Sequence, residues 1–136
     1  MDRLTDCVGC DDCHEREEVL RSLLVESEAC AWALDNHGAY LGVRMPHIDG
    51  WHDEDGSAHR RFPPPDEDGA LLDGWIEPIA TTGSHGVVWT WRYWLEEDLG
   101  AGMERVGRPD VAPSLMAAVR LVERAVREYR EREATS

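Results

Sequence analysis

The sequence predicts an α+β fold: an N-terminal helix, a three- or four-stranded antiparallel sheet, and a long C-terminal helix packed on that sheet. Three observations predict it. Apolar residues recur at helical spacing near both ends of the chain, over residues 20–34 and 115–129. Between them, residues 87–96 alternate with the period of two that a half-buried strand needs. The length, 136 residues, makes a single domain that can bury a core without disulfide support.

The first helix is expected over residues 12–36. Asp12 can cap it and Glu15, three residues on, completes a capping box. Leu20, Leu23, Leu24, Ala31 and Leu34 form its apolar stripe, and Gly38 stops it. Val25 and Trp32 fall off that stripe, as either a second buried contact or an exposed binding patch. Residues 39–45 alternate as a strand, with Ala39, Leu41, Val43 and Met45 on one face, ended by Pro46.

Residues 46–73 read as a long acidic loop, rich in proline, glycine and histidine. Loops of that length are usually functional or mobile. A second strand follows over 75–80, where Pro78 implies a sheet edge. The strongest strand is 87–96, with Val87, Trp89, Trp91, Tyr93 and Leu95 directed one way and Trp94 the other. Residues 103–106 return as a short strand. The last helix is expected over 111–133, capped by Asp110 with Pro113 in its first turn. Its stripe is Leu115, Ala118, Val119, Val122, Val126 and Tyr129, and this face is expected to pack on the odd-numbered face of strand 87–96.

Charge narrows the functional classes. The chain has 28 acidic residues against 14 basic ones, for a net charge of −14. Every base is arginine; lysine and glutamine are absent, as in proteins coded by G+C-rich genomes, a composition that fits a bacterial or phage accessory protein. Such a charge opposes direct nucleic-acid binding, where phosphate neutralisation supplies most of the affinity. No apolar run reaches the roughly 20 residues of a membrane span, and no basic segment leads into an apolar one at the N-terminus. A cytoplasmic, reducing location is expected, where four cysteines are metal ligands or core thiols rather than disulfides.

Cys7, Cys10, Cys13 and His14 lie within eight residues, in a Cys-x2-Cys-x2-Cys-His run. Thiolates at two-residue gaps aim their sulfurs at one point, which suits Zn2+ or an iron–sulfur cluster. Adjacent helical residues diverge by about 100°, so Cys13 and His14 do not share one ion without distortion, and the fourth ligand is expected from His14 or from one of His37, His47, His52, His59 and His85. Cys30 lies 17 residues beyond Cys13, about 25 Å along a continuous helix, and is expected to pack in the core. With no fourth cysteine at short range, zinc is the expected metal and an iron–sulfur cluster the rival. In the 46–73 segment, His47, Asp49, His52, Asp53, Asp55 and His59 have the ligand types for a second divalent cation, although Asp53-Glu54-Asp55-Gly56 lacks the spacing of a calcium-binding EF-hand.

No nucleophile–base pair, phosphate-binding glycine loop or deaminase motif is legible, so an enzyme is not expected. The expected function is that of a small acidic accessory protein acting by protein–protein binding, with a structural zinc at its N-terminus. Its contact surface would be Val25 and Trp32, or the acidic turn Asp53, Glu54 and Asp55. Two alternatives come from other classes. One is a DNA mimic: residues 1–110 carry 24 acids and 9 arginines, and rows of carboxylates could occupy the basic groove of a nucleic-acid enzyme. The other is an iron–sulfur redox or sensor protein.

Overall fold

A computed structural model describes residues 11–36, 42–64, 69–84 and 86–135, with side chains from Arg16 through Ala134. Helix α1 (Asp11–Leu34) is followed by strands β1 (His52–Glu54), β2 (Ser57–Phe62), β3 (Leu71–Gly83), β4 (Gly86–Asp98) and β5 (Met103–Ala112), then by helix α2 (Leu115–Thr135). The architecture is α+β. The sheet is an antiparallel meander in the order β1-β2-β3-β4-β5, so it has five strands where three or four were expected.

The difference arises in the segment read as a loop over 46–73. Asp55 and Gly56 both take positive φ, at 51° and 89°, and join β1 to β2 with Glu54 opposite Ser57. Two consecutive left-handed residues make a type I′ turn, the hairpin connection for which Asp-Gly is a preferred pair. Conversely, the expected strand 39–45 is absent from its described part. Residues 42–48 are irregular, and Gly42 turns left-handed at φ 71°. The alternation of Val43 and Met45 packs their side chains against the core without a ladder.

Strand β3 exceeds its expected 75–80 bounds at both ends and is central, yet Pro78 fits. The last β2–β3 pair is Ala58 with Ile76, so Pro78 lies past the end of β2 with only β4 beside it. Locally it is an edge. Strand β5 likewise outruns the expected 103–106. It reaches Ala112, opposite Trp91, and absorbs Asp110, which pairs with Tyr93 instead of capping a helix. The helix starts at Leu115, later than expected, and Ser114 caps it by accepting the Ala117 N–H at 3.1 Å. Glu26 of α1 accepts the Leu115 N–H at 3.2 Å, a second cap that ties the helices together.

Both helices lie on one face of the sheet. There Ala58, Phe62, Leu72, Ile76, Trp91, Leu95 and Ala112 meet Leu115, Ala118, Val119, Val122 and Val126 of α2. Gly74 marks the closest approach. A Cβ there would lie 2.5 Å from Val122 and 3.0 Å from Phe62, so only glycine admits α2 at this depth. Helix α1 adds Ala29, Trp32 and Ala33, with Trp32 stacked on Trp91 at 6.2 Å between ring centroids. Its expected stripe is therefore out of phase with the core. Leu20, Leu23, Leu24 and Leu34 are 48–63% exposed, while Trp32 is fully buried. At about 100° per residue the leucines fall on the side of the helix away from Ala29, Trp32 and Ala33, so Leu34 is exposed even in the last turn, where the helix reaches the sheet. No helix among the described residues is long and apolar enough to cross a membrane.

Candidate functional site

The face of the sheet opposite the helices is built by the pleat. His52, His59, Trp75 and Trp94 occupy directly opposed positions on β1, β2, β3 and β4, and their side chains form one row. The rings touch in sequence: His52 to His59 at 4.8 Å, His59 to Trp75 at 4.2 Å, and Trp75 to Trp94 at 6.3 Å between centroids. A bulge in β5 leaves Trp94 without an opposed residue, since Tyr93 pairs with Asp110 and Leu95 with Val106. The guanidinium groups of Arg92 and Arg105 cover that indole at 5.7 and 5.6 Å.

One end of the row is polar and tightly connected. Asp73 also faces this side, and it is the only buried charged residue among those described, at 1% exposure. Its Oδ1 accepts from His59 Nε2 at 2.6 Å and from Arg61 Nε at 3.2 Å, while Oδ2 accepts from Arg61 Nη2 at 3.4 Å. Those bonds to Asp73 raise the pKa of Arg61 above its ordinary value, so the guanidinium stays charged. Arg61 also lies 3.6 Å from Asp98.

Beyond His59, three ligand-type atoms converge. His59 Nδ1 lies 3.0 Å from His52 Nε2, which lies 2.9 Å from Glu54 Oε2. All three atoms fall within 4.8 Å of one another. The local sequence explains the convergence: two residues along β1 carry His52 and Glu54 to the same face, and the Asp55-Gly56 turn sets His59 opposite His52.

The expected site residues fare differently. Cys7, Cys10, His37 and His85 lie outside the described residues; Cys13 and His14 lie in the first turns of α1, with side chains outside those described. Because α1 runs unbroken from Asp11 to Leu34, Cys30 is about 25 Å along the helix from Cys13 and cannot share an ion with it. Cys30 is half-buried and its thiol lies 3.9 Å from a Glu26 oxygen. Burial, then the nearby Glu26 carboxylate, pushes its pKa up.

Trp32 is no binding patch, because its ring is buried and its indole N–H donates to Asp53 at 3.0 Å. Asp53 is thereby turned to the helical side and also accepts the Gly56 N–H at 2.9 Å. Asp55 is the exposed turn residue, and Glu54 alone of that trio joins the histidines. His47 pairs with Asp49 at 3.1 Å, apart from the cluster. Val25 lines an open groove of about 880 Å³ between α1 and the start of α2, with Val19, Leu23, Met116 and Ala117.

No protein family, curated protein or solved structure matches this chain.

Asp73, Arg61 and Trp75 were not anticipated as site residues. A signal for Asp73 exists in Leu71-Leu72-Asp73-Gly74-Trp75-Ile76: a lone carboxylate inside an apolar strand must be paired to be buried.

Proposed function

We propose that this chain is a small acidic accessory protein that acts by binding another protein, and that the projecting half of α1 is the surface it presents. One observation carries the reading. Val19, Leu20, Leu23 and Leu24 are 53–63% exposed on a helix whose later turns are anchored in the core through Trp32. Adjoining exposed leucines on a rigidly held helix are the pattern that a partner helix covers.

The occupant we assign is an amphipathic helix of a partner protein with basic residues on its flanks. A helix satisfies its own backbone and can lie along α1 and into the groove beside Val19 and Leu23. Glu18 and Glu26 line that groove together with Arg21 and Arg120, so its own charge is balanced; it is the chain's net charge of −14 that favours a basic partner and opposes a second copy of itself. A zinc held by Cys7, Cys10 and either Cys13 or His14 would pin the start of the same helix and keep its projecting turns formed. The proposed setting is the cytoplasm, where these thiols stay reduced.

The rival readings lose support. A DNA mimic needs rows of free carboxylates, yet Glu96 and Glu97 point to opposite faces. Glu96 accepts from the Trp94 N–H at 3.0 Å, Glu97 accepts from the Tyr129 hydroxyl at 2.9 Å, and Asp98 pairs with Arg61. A four-cysteine iron–sulfur cluster lacks Cys30 for the reason given above.

A photo-crosslinking residue placed at Leu23, with a control at Thr81 on the sheet, tests the proposal in cells. The Leu23 probe is expected to link a protein that, once purified, binds the full chain and fails to bind Leu23→Asp. Links only to a second copy of this chain, or reconstituted binding that Leu23→Asp leaves unchanged, would overturn it.

A further inference from the structure

We propose that His52, His59 and Glu54 hold a first-row divalent transition-metal cation on the open face of the sheet. This site is separate from the N-terminal cysteines and from the α1 surface.

Proton accounting is the first argument. The Asp73 carboxylate already accepts from Arg61 Nε and Nη2, and its 2.6 Å contact with His59 is satisfied when His59 Nε2 is the donor. In neutral His59 this leaves a lone pair on Nδ1. That lone pair faces His52 Nε2, which in turn faces the Glu54 carboxylate. With the His52 proton on Nδ1, its Nε2 is an acceptor as well, and three acceptor atoms converge on one point. A cation satisfies all three at once.

Distance is the second argument. On an octahedral ion with bonds of about 2.1 Å, adjacent ligand atoms sit about 3.0 Å apart. The two contacts here are 3.0 and 2.9 Å; the third pair, within 4.8 Å, has to close to about 4.2 Å or less, twice the bond length, which rotation of the exposed Glu54 side chain allows. Two imidazoles and one carboxylate make a donor set suited to zinc, iron, cobalt or nickel rather than to calcium or magnesium, which prefer all-oxygen ligands.

The surroundings are the third argument. A ligating histidine characteristically donates its other ring N–H to a carboxylate, which fixes the tautomer and raises its basicity. Asp73 is placed to do this for His59, and its near-complete burial keeps it there. Trp75 backs the same ring at 4.2 Å. Three protein ligands leave further positions open, and the exposed His52 and Glu54 put those positions toward solvent.

Titrating the full chain with cobalt(II) tests the assignment, because thiolate and imidazole–carboxylate sites have different spectra. The expected result is a weak d–d component in addition to any sulfur-to-cobalt charge transfer from the N-terminal cysteines. That d–d component should vanish in His52→Ala, whose exposed side chain can be removed without disturbing the fold, and persist in Cys7→Ser. Asp73→Asn, with folding checked by circular dichroism, should weaken that component's affinity about 10- to 100-fold as a positioning residue would. Histidine 15N resonances of His52 and His59 should shift with one equivalent of zinc. A cobalt spectrum with charge-transfer bands only, or a d–d component unchanged in His52→Ala, would overturn the site.

Discussion

Helices α1 and α2 lie on the same face of the sheet, yet they spend their apolar residues in opposite ways. In α2, Leu115, Ala118, Val119, Val122 and Val126 are all at most 3% exposed, and the stripe runs the length of the contact. In α1, the leucines at 20, 23, 24 and 34 stand in solvent, and the helix is anchored by Ala29, Trp32 and Ala33 instead. The two stripes look alike as patterns. A helical period says which residues share a face, but what covers that face is decided by what the rest of the chain can bring there. Here the sheet is covered mainly by α2, and α1 reaches it only with its last turns.

Removing the anchor of α1 has the largest expected effect. Trp32→Ala deletes a fully buried indole, its stack on Trp91 and its bond to Asp53. A loss of about 3–5 kcal/mol is expected by denaturant unfolding, as for other buried aromatics. Next comes the seat of α2. Gly74→Ala forces a methyl against Val122, Phe62 and Trp51, and a loss of about 1–3 kcal/mol is expected from overpacking. A partner change of Val122→Ala in the same chain should recover part of that loss, because it removes the nearest clashing atom.

What was legible in the sequence follows the same division. The α2 stripe, the inward face of β4 and the outward Trp94 were readable because residues a few positions apart decide them. The phase of α1 was not. It depends on Trp32 finding Trp91, 59 residues away, and no local period encodes that meeting. The β1–β2 hairpin was legible in principle: Asp55-Gly56 followed by alternating Ser57 to Phe62 is a turn and a strand, but the surrounding acids and prolines masked it. The histidine cluster shows both sides. His52 and His59 were recognisable as metal-ligand types, yet their choice over His47, and their link to Asp73, needed the hairpin register and the pairing of β2 with β3.

Smaller effects sharpen the contrast at the ends of α2. Ser114→Ala removes the hydroxyl that accepts the Ala117 N–H and should cost about 1 kcal/mol in stability. At the other end, Tyr129 donates to Glu97 of β4, and burial followed by that bond raises its pKa well above the ordinary tyrosine value. The folded state therefore holds the phenol proton more tightly than the unfolded chain. This contribution is complete below about pH 10 and declines as the pH rises above it, because unfolding then releases a proton. Unfolding midpoints measured between about pH 8 and pH 11 should fall for the wild type and fall less for Tyr129→Phe.

The smallest expected change in stability is the most informative about α1. Leu24 is 63% exposed, so Leu24→Ser removes little buried surface. A substitution away from core, caps and buried pairs should alter stability by no more than about 0.5 kcal/mol. The same change at Val122, on the covered stripe of α2, places an unpaired hydroxyl among apolar side chains and should cost several times more. Equal losses at the two positions, measured in the same denaturant series, would mean that Leu24 is covered in solution. The covering surface would then be part of the isolated protein, and the leucines of α1 would not be free for a separate partner. A near-zero loss at Leu24 with a large one at Val122 leaves the stripe with no role in holding the fold together, which is the condition that a docking surface must meet.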